Sequence, residues 1–167
     1  MTNILITQEV PRHATERDAL ITACFAAPQP ARAAYILRQG IAPIAQYSCV
    51  ALKDDRVIGS VRFTPMLLPD GAEVLMLGPL AVDPLLRGQK IAQRLVNHGL
   101  KLLQQDQLNG VIVIGDAGYF TALGFDATLT QHLRLPGIVA PLALLGLEWQ
   151  AGFLSKQNGM LQRIQRD

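Results

Sequence analysis

Hydrophobic positions along this chain follow two spacings, one of two residues and one helical, and the change from one to the other marks the elements. Ile4 to Val10 reads as a first strand. Pro11 opens a helical stretch to about Phe25, with Ala19, Leu20, Ala23 and Cys24 at helical spacing. Pro28 and Pro30 break it. Ala31 to Gln39 reads as a second helix, with Arg38 in its last turn and Gly40 as its stop. Tyr47 to Leu52 and Val57 to Thr64 are strands joined by the polar turn Lys53-Asp54-Asp55-Arg56, and Val57, Gly59, Val61 and Phe63 share a face. Pro69-Asp70-Gly71 is a turn, because Pro presets φ and Gly tolerates a positive one.

Val74 to Val82 is nearly continuously apolar, which predicts a central strand covered on both faces. Gly78-Pro79 inside it marks a bulge or a break in pairing, since Pro has no N–H to donate. Asp83-Pro84 ends the strand. Gly88 to about Gln104 is a third helix that buries Ile91, Leu95, Val96, Leu102 and Leu103. Gly110 to Ile114 is a strand, Asp116 caps a short helix through Leu123, Phe125 begins another strand, and a last strand lies near Leu142 to Trp149. The order is strand, two helices, three antiparallel strands, helix, strand, helix, two strands. That is a mixed α/β (α+β) fold. With 167 residues and no repeat or linker, one domain over 1–167 is expected.

Composition narrows the class. Half the residues are hydrophobic and 17% are charged, which argues for a large core and against disorder. Net charge is +2 with no basic block, so nucleic acid is not the expected partner. Cys24 and Cys49 form no CxxC pair and no His cluster accompanies them. They read as reduced thiols, with no metal site and a cytosolic setting. Met1 to Gln8 lacks a basic region and a long apolar run, so no signal peptide is expected. The most apolar stretch, Ile138 to Leu147, is about ten residues long and broken by Pro141 and Gly146, too short to span a bilayer. A soluble, cytoplasmic protein is the expectation.

The candidate chemistry lies in Leu77-Gly78-Pro79-Leu80-Ala81-Val82-Asp83-Pro84-Leu85-Leu86-Arg87-Gly88-Gln89-Lys90-Ile91-Ala92. An apolar strand runs through a tight turn into a helix, whose first backbone N–H groups have no internal partner and form an anion site. Gly88 and Ala92 leave room for a diphosphate, and Arg87 adds a charge. A plain helix start is the bland alternative.

Here the sequence resembles the GNAT N-acetyltransferases, most closely a bacterial YhbS-like branch. The family's pyrophosphate loop, Arg/Gln-x-x-Gly-x-Gly/Ala, corresponds to Arg87-Gly88-Gln89-Lys90-Ile91-Ala92. Residues 77–84 resemble its bulged fourth strand, and Gly115 to Phe125 its short fourth helix with the following Gly-Phe. The resemblance implies the GNAT acyl-CoA N-acyltransferase fold, a mixed central sheet with a splayed fourth and fifth strand pair. It implies acetyl-CoA as co-substrate and transfer of acetyl to a primary amine by direct attack. Leu80, Ala81 and Val82 would contact the pantetheine arm, and Arg87, Gly88, Gln89, Lys90, Ile91 and Ala92 the pyrophosphate. The short helix, with Phe120, would lie at the thioester end. The backbone N–H of Leu80 is the inherited oxyanion donor.

Two positions depart from the family pattern. Lys90 stands at a usual glycine; a positive φ there would cost on the order of 1 kcal/mol, and a helical φ nothing. Phe120 stands where many members place a tyrosine that protonates the leaving thiolate, and it has no proton to give. Tyr119 is the neighbouring candidate acid, or else a core-edge residue with its hydroxyl on backbone. Glu73 is the best-placed carboxylate for a general base, although a solvated turn residue is its plainer reading. Asp83 caps the turn, His98 is packed or half-exposed, and His13 and His132 sit in no motif. The acceptor groove would be lined by Ala26 to Ala31 and Thr128 to Pro141, both poor in charge, which suits a small or partly apolar amine; a peptide N-terminus or lysine is a further option. Self-association into a homodimer stays open, and the competing function is a non-catalytic acyl-CoA-binding or regulatory module.

Overall fold

The structure is a computed structural model and describes residues 3–25 and 29–165. In chain order its elements are β1 (Leu5–Gln8), α1 (Ala14–Cys24), α2 (Ala33–Arg38), β2 (Cys49–Lys53), β3 (Arg56–Leu67), β4 (Glu73–Val82), α3 (Ile91–Gln105), β5 (Gly110–Gly115), α4 (Ala117–Ala122), β6 (Leu133–Arg134), β7 (Ala143–Glu148), β8 (Gly159–Met160) and β9 (Gln162–Arg163). The chain divides into two compact units, and β3 and β4 contribute residues to both.

The first unit takes residues up to 27, 43–63 and 78–106. Here β1 pairs antiparallel with β2, and β2 with β3. The β2–β3 loop is Asp54-Asp55, with φ of 51° and 61°, a two-residue turn whose hand matches the twist of its strands. Glu9 after β1 accepts from Arg17 of α1 at 2.7 Å and faces Arg62 of β3 at 3.5 Å. Helix α3 buries Ile91, Leu95, Val96, Gly99, Leu100 and Leu103. Its closest approach to the sheet needs glycine: a Cβ on Gly99 would sit 2.6 Å from the ring of fully buried Phe63.

The second unit takes residues 28–42, 64–77 and 107–167. β4 pairs parallel with β5 over Leu75–Leu77 and Val111–Val113. β5 pairs antiparallel with β7 along its whole length, and β9 pairs with β3 at Met66 and Leu67. One parallel ladder among antiparallel ones makes the sheet mixed, as expected. Leu37 of α2 packs with Met66, Leu68, Val74, Met76, Ile112, Leu154 and Leu161 to form the core.

Four expectations need correction. Helix α3 begins at Ile91, three residues after Gly88, because Gly88 and Lys90 both take positive φ. No strand starts at Phe125: Asp126 accepts from the Thr128 N–H and hydroxyl and caps a 3-10 turn, leaving one bridge from Asp126 to Gly146. The stretch after Trp149 adds β8 and β9, which no hydrophobic period announced. Leu102 is half-buried, and Gly99 and Leu100 take the core face instead.

Candidate functional site

In the first unit the site begins with β4 outrunning its partner. The β4–β5 ladder ends at Leu77 and Val113, whereas β5 follows β7 to Gly115 and β4 continues to Val82. The break comes directly before Gly78-Pro79, where the missing proline N–H predicted it. The Asp83 N–H donates to Ile58 of β3 at 2.9 Å. Peptide groups alternate in direction along a strand, so Leu80 and Val82 point away from β3. The Val82 carbonyl agrees, since it accepts from the Cys24 thiol at 3.2 Å. Cys24 at this edge is a neighbour that sequence reasoning did not anticipate.

The loop after β4 is built by caps. Asp83 accepts from Leu85 N–H at 2.9 Å and starts a 3-10 turn over Pro84–Leu86. Gly88 has φ of 86° with open space around its α-carbon, so its requirement is conformational and not steric. Lys90 has φ of 60° and ψ of 22° and is the residue preceding α3. Its side chain makes no capping bond, as an ammonium has no lone pair to offer. The first intrahelical bond runs from Arg94 N–H to Lys90 at 3.0 Å. The amides of Ile91, Ala92 and Gln93 thus lack partners within the helix, at the positive end of its dipole. Arg87, Gly88, Gln89 and Lys90 are exposed, and Ile91 is buried beneath them. Arg87 and Lys90 are the exposed cations of this loop, and Leu85 ahead of them is 90% exposed and offers no charge.

In the second unit, Asp116 caps α4 by accepting from Tyr119 N–H at 2.7 Å. Adjacent residues on α4 diverge as helical geometry requires. Phe120 turns inward, edge-on to Phe125 with ring centroids 5.6 Å apart, and Tyr119 is 40% exposed. Desolvation raises the Tyr119 pKa, so its hydroxyl keeps its proton at neutral pH. Glu73 is the exposed first residue of β4, and Leu80 comes seven positions later. No hydrogen bond or ion pair to the Glu73 carboxylate is found among the described residues, as for a solvated residue at a strand start.

Other expected residues are placed as follows. His13 is buried, its Nδ1 accepting from Val10 N–H, His98 is half-buried and His132 exposed. Cys49 is buried, and burial pushes its thiol up to about 11. Among the described residues no three His, Cys, Asp or Glu side chains gather as metal ligands, and no helix is long and apolar enough to cross a membrane. Of the expected acceptor loops, residues 26–28 lie outside the described residues. Around 138–140 the chain is stitched to the start of α2: Ala33 N–H donates to Ile138, and Arg32 donates to Ala140 at 2.6 Å. Sequence reasoning also missed Arg38, whose guanidinium lies against the Leu77 carbonyl at 3.4 Å.

A parallel ladder that ends early, followed by a loop and a helix start rich in unpaired amides, defines an acyltransferase-type α/β protein. The chain belongs to the GNAT family of acetyltransferases, whose family model matches residues 14–125. It is 33% identical over 134 residues to the uncharacterized N-acetyltransferase YhbS of Escherichia coli, covering 78% of each chain. The crystal structure of E. coli YhbS in complex with CoA matches with a TM-score of 0.78 at 28% identity, covering 98% of this chain and 91% of that one. A GNAT acetyltransferase from Brucella melitensis in complex with acetyl-CoA matches with a TM-score of 0.73 at 26% identity, covering 98% and 97%.

Proposed function

We propose that this acyltransferase is a cytoplasmic enzyme that moves the acetyl group of acetyl-CoA onto a primary amine by direct attack. The observation that carries the reading is the continuous run from the outward-facing Leu80 and Val82 peptides to the unpaired amides of Ile91, Ala92 and Gln93. The strand edge suits the amide groups of pantetheine. The helix start, flanked by Arg87 and Lys90, suits a pyrophosphate. Two free cysteines fit a reducing compartment.

The amine nitrogen attacks the thioester carbonyl, and the Leu80 N–H stabilises the oxyanion that forms. The C–S bond then breaks. The amine's proton leaves to water, and Tyr119, which retains its hydroxyl proton, supplies one to the departing thiolate. Phe120 walls α4 on its inner side.

Titration calorimetry with acetyl-CoA and a free-thiol assay over an amine panel test this together. Binding plus an amine-dependent thiol signal above hydrolysis is expected. No binding at millimolar cofactor would sink the assignment. Binding without turnover on any amine would leave the non-catalytic module, which Phe120 in the usual tyrosine position favours.

A further inference from the structure

The outward carbonyl of Val82 already has a partner in the free protein. The Asp83 N–H donates to Ile58 of β3 at 2.9 Å, so the Val82 carbonyl, on the opposite side of the same planar peptide, faces away from β3. There the Cys24 thiol donates to it at 3.2 Å. All four residues, and the start of α3 that follows them, belong to the first unit. Cys24 is the last residue of α1 and comes one helical turn after buried Leu20, on the inward face of that helix. It is itself half-buried. The end of α1 thus delivers a polar hydrogen to the strand edge that the proposed function gives to the pantetheine arm.

In most half-buried places a cysteine behaves as a small apolar residue, and alanine would serve as well. Here its hydrogen sets it apart. An S–H is a weak donor, whereas an amide N–H is a strong one. A carbonyl held by a weak donor exchanges it for a strong one at little cost. Among the described residues Cys24 has no second bond to keep it in place. It is a free thiol, and the other cysteine, Cys49, is buried and donates to Tyr47.

We infer that Cys24 is a positioning residue for the cofactor, a latch that holds the Val82 carbonyl in the free protein and yields it to an amide N–H of the pantetheine arm. This rests on the reading of the β4 edge given above. The bound arm crosses the place of the thiol hydrogen, so it hides Sγ from solvent. A group attached to Sγ stands over the Val82 carbonyl and excludes the arm. Phosphates at the α3 start do neither, since they lie beyond the end of the strand.

Iodoacetamide labelling of the full chain, read by peptide mass at Cys24, tests the latch beside a calorimetric titration of the same samples. Saturating acetyl-CoA is expected to slow alkylation of Cys24 about tenfold or more, as a ligand that occupies nearly every molecule must. The nucleotide half, adenosine 3′-phosphate 5′-diphosphate, carries the pyrophosphate without the arm and should leave the rate unchanged. Protein alkylated at Cys24 should lose acetyl-CoA affinity. Among variants, Cys24→Ala should bind acetyl-CoA more tightly than the wild type and Cys24→Ser less tightly, each by about two- to fivefold, because a hydroxyl is the stronger donor and a methyl group is none. An unprotected Cys24 in protein that calorimetry shows to be saturated would overturn the inference and leave the cofactor assignment standing. Equal protection by the nucleotide half, or a Cys24→Ser protein that binds as tightly as Cys24→Ala, would overturn it as well. No binding of acetyl-CoA to the unmodified chain would remove the cofactor assignment itself, and the latch with it.

Discussion

At the scale of single residues, Lys90 is the clearest conflict between local preference and site. A β-carbon in the left-handed region costs on the order of 1 kcal/mol, and Lys90 accepts that cost at the residue that launches α3. Lys90→Asn tolerates the same φ without adding chain entropy to the unfolded state. We expect it to raise stability by about 1 kcal/mol, or about 2–4 °C in Tm for a chain of this length. The same change removes a cation from beside the helix start, so acetyl-CoA affinity should fall a few-fold. A calorimetric scan and a titration read both, and a lower Tm with unchanged affinity would show that the ammonium has no ligand-binding role. Tyr119 supplies the second residue-scale prediction. Tyr119→Phe keeps the ring and removes the proton, so kcat should drop about tenfold or more with little change in KM for acetyl-CoA. Unchanged turnover in a stopped assay would assign the proton to water.

At the scale of elements, fit between surfaces decides. Helix α3 approaches β3 so closely that Gly99→Ala must displace the Phe63 ring. Overpacking costs about 1–3 kcal/mol, and the better helix propensity of alanine returns less than about 1. Denaturant unfolding should therefore show net destabilisation, and a stabilised variant would contradict the packing. Glu148 at the end of β7 organises the turn after it. Burial alone would raise its pKa, but the amides of Leu154, Gly152 and Ser155 and the Ser155 hydroxyl outweigh burial and hold it below the ordinary carboxylate value. A depressed folded pKa gives stability that is complete above the unfolded pKa and is lost as pH falls through the folded one. Glu148→Gln should cost about 1 kcal/mol at neutral pH, after solvent screening, and flatten the acid limb of the stability curve. An unchanged acid limb in a pH series of melts would show that the carboxylate is idle.

The same scale explains what the sequence made legible. The strands β2, β3 and β4, helix α3 and both aspartate caps stand out because hydrophobic period and turn chemistry are local signals. The loop motif marked Gly88 to Ala92 for the same reason. The false strand at Phe125 arose because an aromatic after glycine looks β-forming, while the Asp126 side chain, bonding two residues onward, decided otherwise. Glu73 stood out for its place at the start of the apolar strand, and its exposure there matches the plainer reading of a solvated turn residue. The sequence marked Arg38 only as a residue of the last turn of α2. Its contact with the Leu77 carbonyl is a property of packing against β4, which no periodicity encodes.

For the whole molecule, the decisive quantity is linkage between ligand binding and unfolding. A ligand that binds the folded chain at a hundred times its Kd adds about 2.7 kcal/mol. For this length that is roughly 5–10 °C in Tm. The shift alone says only that something binds. The location of protection says what binds where. Acetyl-CoA should slow hydrogen exchange at Leu80 and Val82 and at Ile91 to Gln93, whose amides lack helix or β3 partners in the free protein. The amides of β5 and β7 are already paired with each other along their length and should change far less. Protection spread evenly over both units would instead reflect global stabilisation without a defined site, and the assignment of the cofactor to the β4 edge and the α3 start would fall.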